Sequence, residues 1–326
     1  MPWLLNTIYA LLLIAALPVM LYQRVLRGKR RHGWRQKLLG AVPVLEPKRD
    51  RVWFHAVSVG EVLLLRGVIT ELRIRRPDAD VVLSTTTTTG HEVSRAQYPD
   101  LTIFYCPLDF SWAVRRAIRQ IKPTALILAE LELWPNLILA ASESSVRLAI
   151  VNGRLGEKSF RGYRWLRPLV KRLLARFECI AVQNDEYRKR FCSLGAPADR
   201  VVVTGSVKFD MTQPDRTHPR TVELRDAFGL QDDALVFIAG STQHPEEEYA
   251  LETWQELRRE FPTLRLILVP RHKERFDEVA HLVEGRGLSL VRRSHGMGHS
   301  AGTKRSANPQ SPVPSPQSPV CLLDTL

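Results

Sequence analysis

Six short apolar runs recur along the chain, at Arg51–Val57, Val81–Thr85, Thr102–Tyr105, Ala125–Ala129, Arg147–Val151 and Cys179–Gln183, with helical segments between them. That rhythm predicts a mostly parallel α/β sheet covered on both faces, because parallel strands need crossover helices. The periodicity breaks at Gln213-Pro214-Asp215 and Thr217-His218-Pro219, which predicts a linker and a second unit beginning near Thr212. Beyond it Ala234–Ala239, Leu264–Val269 and Ser289–Val291 read as strands, and His244–Glu260 and Glu274–Arg286 as helices. Three strands leave this second domain incomplete. From Ser294 to Pro319 Gly, Ser, Pro, Asn and Gln dominate, so 294–326 is expected as a low-complexity tail unable to bury a core.

The amino-terminal stretch Pro2–Tyr22 is uncharged and leucine-rich, about long enough to cross a bilayer as a helix. It lacks the charged start and small-residue cleavage site of a signal peptide, so a membrane anchor over 1–22 is the expectation. Arg24, Arg27, Lys29, Arg30, Arg31, Arg35 and Lys37 follow, which makes 23–50 a basic juxtamembrane segment and predicts that everything downstream lies in the cytoplasm. These seven cations supply a large part of the formal charge of +13. Basic clusters beside an apolar helix suit anionic phospholipid, and with no aromatic-rich binding motif nucleic acid is not an expected partner. A helix over Arg161–Arg176 with six basic residues reads as a solvated basic face or a second surface for phospholipid. Cys106, Cys179, Cys192 and Cys321 show no CxxC spacing, which predicts free thiols and no zinc.

Candidate chemistry gathers after the strands. His55-Ala56-Val57-Ser58-Val59-Gly60-Glu61 places an acid on a Gly turn between a strand and the helix expected over Glu61–Arg76. In open α/β sheets such turns line the ligand crevice, so Glu61 can meet a substrate hydroxyl; the competing reading is an acid that only stabilises a helix start. Glu130-Leu131-Glu132-Leu133-Trp134-Pro135-Asn136 follows another strand, and alternation puts Glu130 and Glu132 on one side if the strand continues through them. Lys208, in Thr204-Gly205-Ser206-Val207-Lys208-Phe209-Asp210 after a valine strand, is expected to face a cleft between domains. Ala239-Gly240-Ser241-Thr242 and Val269-Pro270-Arg271-His272 offer helix-start amides, hydroxyls and a guanidinium to an anion. Asp78-Ala79-Asp80 precedes its strand and is rejected as a metal site. There is no GxGxxG, Walker loop or GxSxG.

Taken together, the amino-terminal anchor, HAVSVGE at 55–61, ELELWPNL at 130–137, VNGRL at 151–155, TGSVKFD at 204–210 and LVPRHKERF at 268–276 resemble the 3-deoxy-D-manno-octulosonic acid (Kdo) transferases of lipopolysaccharide assembly. The resemblance implies a GT-B fold, two Rossmann-like domains facing a cleft, with the first over 51–211 and the second, incomplete, over 212–293. It implies an inverting transfer of Kdo from CMP-Kdo to the lipid A precursor at the inner membrane, with no cofactor and no metal. Carried over, Glu61 is the proton acceptor, Glu130 and Lys208 stabilise the transition state, and Pro270 and Arg271 belong to the CMP site. Ser58, Gly60, Ser241 and Thr242 stand beside these as candidate substrate and nucleotide contacts. Family members continue beyond Asp324-Thr325 into a Gly-Gly-His-Asn motif that completes the nucleotide pocket, so this chain as written is expected to bind CMP-Kdo poorly and to transfer little or no Kdo. The alternatives are a truncated, inactive membrane-bound pseudoenzyme or lipid-binding module without donor chemistry, and a GT-B transferase with another donor.

Overall fold

A computed structural model describes residues 2–26, 32–210, 215–296 and 320–324. The chain divides into two compact units, Met1–Thr212 and Gln213–Leu326.

The first unit runs α1 (Pro2–Leu26), α2 (Trp34–Leu39), β1 (Arg51–His55), α3 (Val59–Arg75), β2 (Asp80–Thr85), α4 (Thr88–Gln97), β3 (Thr102–Tyr105), α5 (Ser111–Ile121), β4 (Ala125–Ala129), α6 (Pro135–Glu143), β5 (Arg147–Gly153), α7 (Glu157–Trp165), α8 (Arg167–Leu174), β6 (Cys179–Val182), α9 (Asp185–Leu194) and β7 (Val201–Val203). Its strands pair in parallel in the order β3-β2-β1-β4-β5-β6-β7. Every residue of β1 is buried, as a central parallel strand requires. Alternation divides its side chains between two cores: Trp53 packs with Phe104, Leu126 and Ile150 on one face, and Val52 and Phe54 pack with Val62, Leu65 and Leu83 on the other. Arg51, itself buried, is neutralised by Asp80 (2.5 Å) and donates to the Ile121 carbonyl, so Asp80 is occupied as an ion-pair partner.

The strand order contains a reversal. The chain builds outward from β1 through β2 to β3, then returns to lay β4 on the other side of β1. The connections leaving β1 and β4 therefore diverge, and the carboxyl ends of these two strands are the position where open α/β sheets carry their ligand crevice.

Several expectations are corrected. Pro2–Leu26 does form one helix, but among the described residues no helix is long and apolar enough to cross a membrane. Polar residues interrupt its apolar run: Asn6 is buried against the rest of the first unit, Tyr9 donates to Asp109, and the Thr7 hydroxyl donates to the Trp3 carbonyl. The opposite side of α1 keeps Trp3, Leu4, Leu11, Leu12 and Ile14 exposed. Of the basic cluster, Arg27, Lys29, Arg30 and Arg31 lie outside the described residues, as do 211–214 of the expected linker. The single helix expected over Arg161–Arg176 is two, α7 and α8, meeting at Leu166; Pro168 in the first turn of α8 cannot donate the hydrogen bond that would continue α7.

The second unit contains α10 (Pro219–Ala227), β8 (Val236–Thr242), α11 (Glu246–Glu260), β9 (Arg265–Pro270), α12 (Phe276–Gly285), β10 (Leu290–Arg292) and β11 (Val320–Leu322). Its sheet has four parallel strands, in the order β10-β11-β9-β8, rather than the three expected. The stretch expected as a tail thus contributes β11, whose Val320 and Leu322 pack with Leu266, Leu268, Trp254 and Val279; residues 297–319 lie outside the described residues. Asp324 secures this strand by accepting from Arg292 (2.7 Å), the Ser294 amide (2.8 Å) and the Ser294 hydroxyl (2.5 Å).

Candidate active site

β1 ends at His55, and the chain turns through Ala56 and Val57 into α3, whose N-cap is Ser58. The Ser58 hydroxyl accepts from the Glu61 amide (3.3 Å) and donates to Glu61 Oε1 (2.8 Å), while the Val57 amide donates to Glu61 Oε2 (2.8 Å). This is a capping box displaced by one residue, so the helix-stabilising role considered for Glu61 is present. The carboxylate is nonetheless buried at the crevice beside β1. Burial raises its pKa above the ordinary carboxylate range, Glu130 adds to the rise, and the hydrogen bonds from Val57 and Ser58 oppose it. Two accepted bonds leave lone pairs on the carboxylate free to take a proton. Gly60 is not the turn residue expected: it lies in the first turn of α3, and a Cβ there would meet only Ser58 Oγ at 3.8 Å.

On the other side of the crevice β4 stops at Ala129, and Glu130 adopts a left-handed backbone (φ 56°). That conformation is unusual for a residue other than glycine, and here it breaks the alternation expected to carry Glu130 and Glu132 along one strand. The Glu130 amide still donates to the Val151 carbonyl of β5 (2.9 Å), which ties the turn to the sheet. Glu132 is half-buried and accepts from Trp134 Nε1 (3.1 Å). Burial and the charge of Glu61 push its pKa up to about 7, with Glu130 adding to the rise and the Trp134 bond opposing it. Glu61 and Glu132 thus lie close enough for the charge of Glu61 to raise the pKa of Glu132, and Glu130 adds to the rise of both. Sequence reading paired Glu132 with Glu130 but did not select it as a site residue.

His55 sits beneath this group, fully buried, with its ring edge-on to Trp134 at 6.1 Å. Its Nδ1 reaches the Ser84 carbonyl (3.2 Å) and hydroxyl (2.9 Å), and burial lowers its pKa to about 4, so the ring is neutral at physiological pH. Asn152, at the carboxyl end of β5, is another residue that sequence reading passed over. It too is left-handed (φ 56°), and its side chain accepts from the Val207 amide (3.3 Å), fastening the loop that carries Lys208 to the same sheet edge as Glu130. The signal was the Asn-Gly pair after a strand, since Asn tolerates that backbone. Lys208 itself is exposed; its amide donates to Ser206 Oγ (3.4 Å), and among the described residues no contact of its side chain with Glu61 or Glu130 is seen.

In the second unit the expected anion-binding residues do come together. Ser241 and Thr242 end β8, Pro270 ends β9, Thr242 is paired with Pro270, and the Arg271 amide donates to the Thr242 carbonyl (3.0 Å). Ser241 is left-handed (φ 59°) and exposed, Thr242 is buried, and the Arg271 side chain is exposed. The nearby Arg275 is engaged differently: its guanidinium forks onto the buried Glu247 (2.8 and 3.2 Å) and reaches Glu278, so its charge is spent on the fold.

The family model for 3-deoxy-D-manno-octulosonic-acid transferase (kdotransferase) matches residues 29–211. The 3-deoxy-D-manno-octulosonic acid transferase of Haemophilus influenzae is 32% identical over 249 residues, covering 76% of this chain and 58% of its own length. That of Chlamydia muridarum is 28% identical over 296 residues, 88% of this chain and 68% of its own. A probable mitochondrial 3-deoxy-D-manno-octulosonic acid transferase of Arabidopsis thaliana is 33% identical over 276 residues, 83% of this chain and 61% of its own. This chain therefore spans 58% to 68% of the length of these relatives. Among solved structures, a UDP-GlcNAc 2-epimerase from Neisseria meningitidis matches with a TM-score of 0.50 at 15% identity, covering 72% of this chain and 69% of that one. A putative UDP-N-acetylglucosamine 2-epimerase from Listeria monocytogenes matches with a TM-score of 0.52 at 13% identity, covering 73% and 67%. At such identities the likeness is one of fold, and the fold is GT-B-like. The matched model covers more than half of the chain, which belongs to the 3-deoxy-D-manno-octulosonic-acid transferase family.

Proposed function

We propose that this chain carries the machinery of a Kdo transferase that moves Kdo from CMP-Kdo to a lipid A precursor with inversion at the anomeric carbon. The observation that carries the reading is the Glu61 carboxylate, buried at the crevice where the strand order reverses and raised in pKa by that burial and by Glu130. A base at this position takes the proton of the acceptor hydroxyl as its oxygen bonds to the anomeric carbon. The bond from that carbon to the CMP phosphate breaks, and CMP leaves with the electron pair. Positive charge develops on the sugar and negative charge on the phosphate, so Glu130 and Lys208 have separate targets. Ser58 positions Glu61 by a direct hydrogen bond, and the exposed first turn at Gly60 leaves room for substrate. Ser241, Thr242, Pro270 and Arg271 are assigned to the nucleotide, Arg271 through its exposed guanidinium. The reaction as assigned requires no cofactor and no metal.

The partner surfaces follow the same reading. The exposed apolar side of α1 and the basic residues after it hold the protein at phospholipid on the cytoplasmic face of the inner membrane, next to its lipid acceptor. Incubating a form extended to the relatives' full length with CMP-Kdo and lipid A precursor, and following Kdo incorporation, tests the assignment. Glu61→Gln preserves the cap, because Gln serves in a capping box, but removes the base, so turnover should fall by about two to four orders of magnitude. Turnover within about twofold of the unsubstituted extended form would overturn the role given to Glu61.

A further inference from the structure

Helices α5 and α6 begin without caps of their own. The N-cap residues, Phe110 and Trp134, supply no side-chain hydrogen bond to the first-turn amides. Those amides are instead capped from elsewhere in the first unit. Asp109 accepts from the Asn136 amide (2.9 Å) and the Leu137 amide (2.8 Å) at the start of α6. Asn6 of α1 accepts from the Ser111 amide (3.0 Å) at the start of α5 and donates to the Ser111 hydroxyl (2.8 Å). The two caps are joined. Asn136 Nδ2 donates to Asn6 Oδ1 (3.3 Å) and to the Asp109 carbonyl (2.6 Å), and the Tyr9 hydroxyl donates to Asp109 Oδ2 (2.9 Å). Asn6, Asp109 and Asn136 are all buried, so each of these bonds replaces a lost contact with water.

The start of α6 is also the end of the acidic turn. Trp134, whose indole holds Glu132, is the residue from which α6 departs, and Glu130 lies a few residues upstream. We propose that Asn6 and Tyr9 are positioning residues: by completing the caps of α5 and α6, α1 holds the turn Glu130–Trp134 in place beside Glu61. A helix expected only to attach the protein to a membrane then also fixes part of its site. The kinetic part of this inference rests on the transferase reading above; the structural part does not.

The test uses the full chain and three variants: Asn6→Ala, Tyr9→Phe, and Thr7→Ala as a control at an exposed polar position of α1. Amide hydrogen exchange is read at Ser111, Asn136, Glu130 and Trp134, and kcat and KM are measured with CMP-Kdo and lipid A precursor in a form extended to the relatives' full length that carries the same substitutions. Asn6→Ala should speed exchange at the Glu130 and Trp134 amides, as well as at the two caps, by about tenfold, the equivalent of one buried hydrogen bond. Tyr9→Phe should act in the same direction by less, and Thr7→Ala should leave exchange at these amides unchanged. In Asn6→Ala kcat should fall by about tenfold with KM for CMP-Kdo unchanged, the pattern of a displaced site on the acceptor side. Unchanged exchange at Glu130 and Trp134 would overturn the proposal, as would faster exchange there with native kcat. If the extended form transfers no Kdo while exchange responds as described, the transferase reading fails and the coupling of α1 to the turn stands.

Discussion

Glu61 joins an observed task to a proposed one. Its amide and carboxylate close a cap with Ser58 and Val57, and its buried carboxylate is the group we assign as the base. The two tasks pull its pKa in opposite directions, and burial together with Glu130 prevails. The sign of the pH dependence follows. A base is active only when ionised, so the acidic limb of kcat/KM should lie above the ordinary carboxylate range. Glu130→Gln removes one cause of the rise, so that limb should move to lower pH even as the rate falls; a limb that stays in place would show that the two acids do not interact. Sequence reading reached Glu61 and Glu130 because acids after apolar strands are conspicuous. It gave Gly60 a turn it does not make, and it ended the strand at Ala129 but left open whether the strand ran on through Glu130, because the left-handed backbone there has no sequence signature when the residue is not glycine.

At the scale of elements, what the sequence made legible is the periodic part. The strands of the first unit and their parallel pairing follow from apolar runs separated by helical spacing, and the unit's seven-stranded sheet carries all of them. What escaped was set by contacts distant in sequence. β11 is three residues long, and only its packing against β9 and β10 makes it a strand. The capping of α6 by Asp109 is equally non-local. Each gives a measurable consequence. Asp324→Ala leaves the Ser294 amide and one face of Arg292 without their acceptor and should lower the stability of the second unit by about 1–3 kcal/mol in denaturant unfolding. A change indistinguishable from zero would show that β11 is not held this way. Burial raises the pKa of Asp109 from 3.8 to about 6, partly offset by its bonds to Asn136, Leu137 and Tyr9. The folded state therefore holds this proton more tightly than the unfolded chain. Its contribution favours folding below about pH 4 and is lost as pH rises to about 6, by roughly 3 kcal/mol. Asp109→Asn should flatten the stability curve across that window, and an identical curve would contradict the assignment.

At the scale of the whole molecule, family membership, a GT-B-like fold and the crevice at the strand reversal support one reading from independent directions. The charge of the chain is consistent with a lipid partner: +13 overall, concentrated after a helix whose outer side is apolar. Binding to vesicles containing anionic phospholipid should accordingly weaken as salt is raised and weaken further when residues 1–22 are removed. Equal binding without them would shift that role to surfaces such as α7 and α8, where Trp165 is 89% exposed among arginines. The central claim, that the buried acid after β1 is the base of a Kdo transfer, is tested most directly by single-turnover transfer from CMP-Kdo to lipid A precursor with a form extended to the relatives' full length and with its Glu61→Gln variant. The account predicts transfer by the extended form and a rate about two to four orders of magnitude lower in the folded variant. Equal rates, or no transfer by the extended form, would contradict it.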